Sequence, residues 1–185
     1  MGTKMKKSPT KKIAKSSAQK LEALRRRIDV LDGRLVTLLN QRSRLAQGIG
    51  KLKHAQGSAL YVPEREQQVL ARLRSRNKGP LSARSLEAIY REIMSAALSL
   101  EGVLNIGVVG SVGSPVAAAA RDHFGGSARY ATLTATEAVK RLLAKRCHAV
   151  CLAEADLPAA CAGFQSGRVR MCKSATRGVA VLVRT

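Results

Sequence analysis

Three ionisable side chains, Arg42, Glu66 and Glu101, fall at positions where the sequence pattern calls for apolar residues. An unpaired charge at such a position costs on the order of several kcal/mol, so all three require partners. They bridge one another, or Arg42 snorkels its head to the surface, or they line a polar pocket within a helical bundle, where facing helices commonly build ligand sites. The net charge of +21 favours anionic ligands, but small carboxylates, nucleic acid and membrane surfaces suit such a field equally.

Two further cations, Arg25 and Lys53, lie beside the stripe that contains Arg42. They are 28 residues apart, which in one straight helix is roughly 42 Å at 1.5 Å per residue. Within one chain they cannot share a small ligand. If two copies of the helix pair antiparallel, Arg25 of one approaches the Arg42 to Lys53 half of the other, and a two-fold dimer holds two equivalent pockets.

The elements that position these residues follow from periodicity. Leu21, Leu24, Ile28, Leu31, Leu35, Leu38, Leu45, Ile49 and Leu52 recur at steps of three and four, the seam of one long helix in a coiled coil. Arg42 occupies the vacant step. Gly48 and Gly50 weaken the last turns by about 1 kcal/mol each relative to Ala, so another contact must hold that end. A loop from His54 to Val62 leads to Pro63, a favoured first helical residue, with Glu64, Arg65 and Glu66 behind it. The stripe Val69, Leu70, Leu73 of this second helix runs back onto Glu66, and residues 77–80 stop it. A third helix follows Ser82, and its apolar face ends on Glu101.

Beyond Gly102 the period changes. Strands are expected at 104–109, 128–133, 148–153, 169–172 and 179–183, with helices at 115–124 and from a Thr134/Glu137 capping box to Arg146. The fold class is therefore α followed by α/β: a helical domain at 18–102, which antiparallel pairing of its long helix would make an intertwined dimer, then a small α/β region at 103–185. Residues 1–17, in a stretch with seven Lys among the first 20 positions, read as a disordered basic tail.

Composition narrows the function. With Trp 0, Tyr 3 and Phe 2, a base-stacking surface is disfavoured. The charge does not gather on one segment: seven basic residues and no acids precede Leu21, fifteen stand against eight from 21 to 101, and eleven against four thereafter. No apolar signal region and no run of 18 apolar residues occurs, so a soluble cytoplasmic protein is expected. Cys147, Cys151, Cys161 and Cys172 are expected as buried free thiols. Cys147, His148 and Cys151 lack zinc-finger spacing, and Gly110-x-x-Gly113 reads as a tight turn rather than an anion loop.

The run LEALRRRIDVLDGRLVTLLNQRSRLAQGIGKLKH, then YVPEREQQVL, then IYREIMSAALSLE resembles the all-helical chorismate mutases, especially those fused to prephenate dehydratase. The resemblance implies that Arg25 of a second protomer, Arg42 and Lys53 bind the substrate and that Glu66 takes its ring hydroxyl. Arg65 is implied as the structural half of an Arg-Glu pair. Glu101 stands where the family carries Gln or Glu near the ether oxygen, Ala97 where some members have Ser, and Val62 where many have Asp. The implied reaction, chorismate to prephenate, is an intramolecular rearrangement needing no cofactor or metal, with Lys53, Arg42 and a protonated Glu101 stabilising charge on the ether oxygen.

LNIGVVGSVGSPVAAAARDHFGG and CHAVCLAEADL resemble parts of the first lobe of prephenate dehydratase, and SATRGVAVLVR its Thr-Arg-Phe strand. Thr176 and Arg177 match, but Gly178 replaces the Phe and most of a second lobe is absent. A degenerate remnant without dehydratase activity is expected, serving as a folding cap or interaction module. Two alternatives stand: a basic helical nucleic-acid-binding protein, which leaves Glu66 and Glu101 unexplained, and an isochorismate pyruvate lyase on the same scaffold.

Overall fold

The computed structural model describes residues 9–162, 167–172 and 178–185. The chain divides into two compact units, one ending at Arg42 and one from Ser43 to Thr185. Thr176 and Arg177 lie outside the described residues.

The first unit is helical. Helix α1, Pro9–Ala55, starts well before Leu21 and takes in residues 9–17 of the stretch expected to be disordered. Pro9 is suited to a first helical turn, and the Lys, Ala and Gln that follow have good helix propensity with no Gly or further Pro to break it. Residues 1–8 lie outside the described residues. The seam side chains are exposed, Leu31 and Leu35 by 54% each.

The second unit holds the end of α1, then α2 (Pro63–Arg76) and α3 (Ala83–Glu101). Pro63 opens α2, but its cap residue Val62 supplies no side-chain bond. The first turn is instead favoured by Glu64 and Glu66 at the positive end of the dipole. Ser82 caps α3 by accepting from the Ser85 N–H at 3.0 Å.

Downstream come β1 (Asn105–Val109), α4 (Pro115–Phe124), β2 (Arg129–Leu133), α5 (Ala135–Leu143), β3 (Ala149–Ala153), α6 (Leu157–Cys161), β4 (Val169–Cys172) and β5 (Val179–Arg184). The sheet order is β2-β1-β3-β5-β4. β1 pairs parallel with β2 and β3, and β5 antiparallel with β3 and β4. Parallel pairing demands crossovers, which α4 and α5 provide. One face of the sheet packs against α4, Tyr61 and Leu98; the other packs against α5 and α6. The expected strands and helices are present, with α6 in addition and α5 ending at Leu143 rather than Arg146.

Thr134 caps α5 as expected, yet Glu137 does not complete the capping box: its carboxylate accepts from Arg141 Nε at 2.8 Å. Gly110 and Gly113 both take positive φ, and Ser114 Oγ accepts from the Ala117 N–H, so the segment is a tight turn capping α4. Cys147, Cys151 and Cys172 are buried free thiols, whereas Cys161, at the end of short α6, is exposed. Among the described residues no helix is long and apolar enough to cross a membrane.

Candidate active site

In the second unit, Lys53 of α1 and Glu66 of α2 are bonded to two consecutive residues, Leu60 and Tyr61, against which the end of α3 also packs. Lys53 Nζ, near the end of α1, donates to the Leu60 carbonyl at 3.1 Å. The Tyr61 hydroxyl reaches Glu66 Oε2 of α2 at 3.2 Å. Leu60 also packs at the end of α3, where a Cβ on Gly102 would lie 3.6 Å from Leu60 Cδ2. The loop expected only as a connector is thus the point to which all three helices are fastened.

Glu101 closes the arrangement from α3. Its stem lies against the α1 backbone at Gly50, one turn before Lys53. Two clefts open beside it. One of about 400 Å³ is bounded by Gln47, Gly50, Lys51 and His54. The other, about 910 Å³, reaches Val62 and is rich in cations, among them Lys145, Arg168 and Arg184. Such surroundings favour an anion on electrostatic grounds.

Glu66 is largely buried, and burial pushes its carboxyl above the ordinary range. The Tyr61 hydrogen bond and the Arg91 guanidinium act the other way. Arg91 Nε stands 4.0 Å from Glu66 Oε1, an ion-pair distance too long for a hydrogen bond. The cation facing Glu66 is therefore Arg91 of α3; Arg65, the neighbour in sequence, has an exposed side chain. Tyr61 is itself buried, and desolvation together with the adjacent carboxylate holds its phenol above its usual range.

The α/β elements press on the same helices. His123 Nε2, in the last turn of α4, lies 3.1 Å from the Tyr61 hydroxyl. Tyr61 meets Phe124 edge-on at 5.1 Å between ring centroids. The turn after α4 is seated on α3: the Gly126 N–H donates to Glu92 Oε2 at 3.1 Å and the Ser127 N–H to buried Ser95 Oγ at 3.2 Å. Gly125, at φ +76°, makes this approach possible, since a Cβ there would stand 2.5 Å from Ser95 Cβ. Arg170 of β4 grips the Glu64 carboxylate with both Nη atoms, which holds that carboxyl below the ordinary range.

The sequence-derived residues divide accordingly. Lys53 and Glu66 are each bonded to the Leu60–Tyr61 segment, while Glu101 lies against Gly50 of α1 and lines the same cleft as Leu60 and Tyr61. Ala97 is buried on α3, and Val62 borders the larger cleft. Arg25 and Arg42 belong to the first unit. Arg25 is exposed, and Arg42 is half-buried with its Nη1 lacking a hydrogen-bond partner among the described residues.

Tyr61, Arg91 and His123 were not singled out by sequence reasoning. Glu87 and Arg91 pair at i,i+4, so an ion-pair search along α3 would have found Arg91. Tyr61 stood out only as one of three tyrosines. Nothing in the sequence joins His123 to a tyrosine 62 positions away.

Residues 24–102 match the family model described as chorismate mutase type II. The chain is 40% identical over 131 residues to a bifunctional chorismate mutase/prephenate dehydratase of Stutzerimonas stutzeri, covering 68% of this chain and 36% of the relative. It is 38% identical over 129 residues to the protein of that description from Pseudomonas aeruginosa, covering 67% of this chain and 35% of the relative. Both alignments exceed 102 residues, so they extend into the α/β region. The chain spans about a third of the length of these curated relatives. Among solved structures it is similar to a chorismate mutase from Thermus thermophilus, with 36% identity and a TM-score of 0.44, covering 44% of this chain and 93% of that one.

Proposed function

We propose, from the premise that residues 24–102 of this chain belong to the chorismate mutase type II family, that the protein rearranges chorismate to prephenate. The observation carrying this reading is that Lys53 and Glu66, from two helices, are bonded to Leu60 and Tyr61, which line one cleft together with Glu101 of a third helix. The substrate is a dianion, and the reaction breaks a C–O bond and forms a C–C bond within one molecule. No nucleophile is called for; the protein must hold the reactive conformer and stabilise the negative charge that grows on the ether oxygen.

Arg25 from a second protomer and Arg42 bind the two carboxylates as planar forks. Lys53 and Glu101 stand at the ether oxygen, Glu101 acting in its protonated form because an ionised carboxylate only accepts hydrogen bonds. Glu66 takes the ring hydroxyl. Arg65 serves as the structural half of an Arg-Glu pair, while Val62 and Ala97 stand at the pocket wall, Val62 without a polar side-chain contact to offer. The exposed seam of α1 is the surface on which a second copy pairs, making a homodimer with two sites that acts in the cytoplasm.

The test is to mix purified protein with chorismate, follow its disappearance, and acidify to assay prephenate. Saturable loss of chorismate with matching prephenate is expected. An inert sample, or one that binds polyanions with a steep salt dependence instead, would favour the nucleic-acid reading.

A further inference from the structure

We propose that His123 is a positioning residue for the mutase site: acting through the Tyr61 hydroxyl it fixes Glu66, which makes α4 and its sheet a working part of the helical enzyme. The inference rests on the mutase reading above. It also assigns a task to a region that the sequence presents as a degenerate remnant.

The hydrogen-bond inventory sets the direction of the chain. A phenol has one proton to give, and an ionised carboxylate can only accept. With Tyr61 Oη at 3.2 Å from Glu66 Oε2, that proton goes to Glu66, and Tyr61 presents only lone pairs to His123. The contact at 3.1 Å is then a bond in which Nε2 carries the hydrogen and donates. The other ring nitrogen, Nδ1, is buried with no hydrogen-bond partner among the described residues, as suits the bare acceptor of that tautomer. Burial holds the His123 pKa down, to about 4, so the ring is neutral near pH 7 and one nitrogen is left unprotonated.

Packing makes the arrangement stiff. The His123 ring meets Phe124 edge-on at 4.6 Å, and Phe124 meets Tyr61. The following turn is fastened to α3 through Glu92 and Ser95. Without a donor at His123, Tyr61 loses one of the two bonds that fix its hydroxyl, and the Glu66 carboxylate it holds can turn with it toward Arg91, which already stands at 4.0 Å. Glu66 would then no longer meet the substrate hydroxyl, a contact made equally before and during reaction, so the loss should be read in KM more than in kcat.

Kinetics of chorismate conversion by the full chain test this. Both H123F and Y61F are expected to raise KM about tenfold with kcat changed less, the size of effect one hydrogen bond supports. H123Q, whose amide N–H can donate from nearly the same place, is expected to restore KM to within about twofold of the parental value. In parallel, ¹⁵N NMR of the parental histidine side chains at neutral pH is expected to show His123 protonated on Nε2. Parental KM in H123F and Y61F, no rescue by H123Q, or protonation on Nδ1 would each overturn the positioning role while leaving the mutase reading intact. A parental protein that leaves chorismate unchanged would overturn both.

Discussion

Gly50 of α1 and Glu101 of α3 meet so closely that a Cβ on Gly50 would stand 2.7 Å from Glu101 Cγ and 2.9 Å from its Cβ. The contact is with the stem of the side chain, which cannot swing aside as a tip could. A mid-helix glycine costs about 1 kcal/mol, and at Gly50 that cost opens the space Glu101 occupies. Gly48 has nothing within 4 Å of its own added Cβ. The two glycines should therefore respond oppositely: G48A is expected to stabilise by roughly 1 kcal/mol, whereas G50A displaces Glu101 and lowers both stability and turnover. Urea unfolding of the two variants beside the parent checks the sign.

In the proposed mechanism Glu101 donates to the ether oxygen, which only its protonated form can do. Turnover is expected to decline as pH rises, and E101Q to flatten the profile. The check is kcat measured from about pH 5 to 8 for both proteins; a parental rate that stays constant over this range counts against the assignment.

His123 also makes stability depend on pH. Its folded pKa, about 4, lies below the ordinary 6.5, so between these values the unfolded chain binds more protons than the folded one. Stability is full above about pH 6.5 and is lost as pH falls toward 4, by on the order of 3 kcal/mol. Glu66, raised by burial, contributes in the opposite sense, so the comparison must isolate His123. H123F should be less sensitive than the parent to a shift from pH 7 to 4.5 in chemical denaturation; an equal loss in both proteins would contradict a destabilising protonation of His123.

The seam of α1 leaves Leu31 and Leu35 each 54% exposed and Leu38 59% exposed. A stripe of this length is what a second helix covers in a coiled coil. The L31E/L35E double variant is expected to sediment as a monomer and to lose mutase activity, because Arg25 would no longer reach the other protomer. A monomeric parent with full activity would refute the shared site.

Much of this fold is written locally. Ser82, Ser114 and Thr134 mark helix starts by the oxygen each offers to an orphan N–H, and Pro63 fixes the first residue of α2. The runs of β1, β3 and β5 are legible because these strands are covered on both sides, which makes them almost continuously apolar. Lys53, Glu66 and Glu101 drew notice because a charge interrupts or adjoins an apolar stripe. What escaped was either weakly marked or non-local. Short α6 carries a proline and too few residues to show a period. The pairing of Glu66 with Arg91 depends on how α2 and α3 cross. The placing of His123 on Tyr61 depends on the whole route of the chain through β1 and α4.

Steady-state kinetics on chorismate with the parental chain and R42A test the central claim most directly. The parent is expected to show saturable conversion to prephenate, and R42A a loss beyond tenfold in kcat/KM, since one charge-assisted bond is worth about 1.5 to 3 kcal/mol. Conversion unchanged in R42A, or none in the parent, would contradict it.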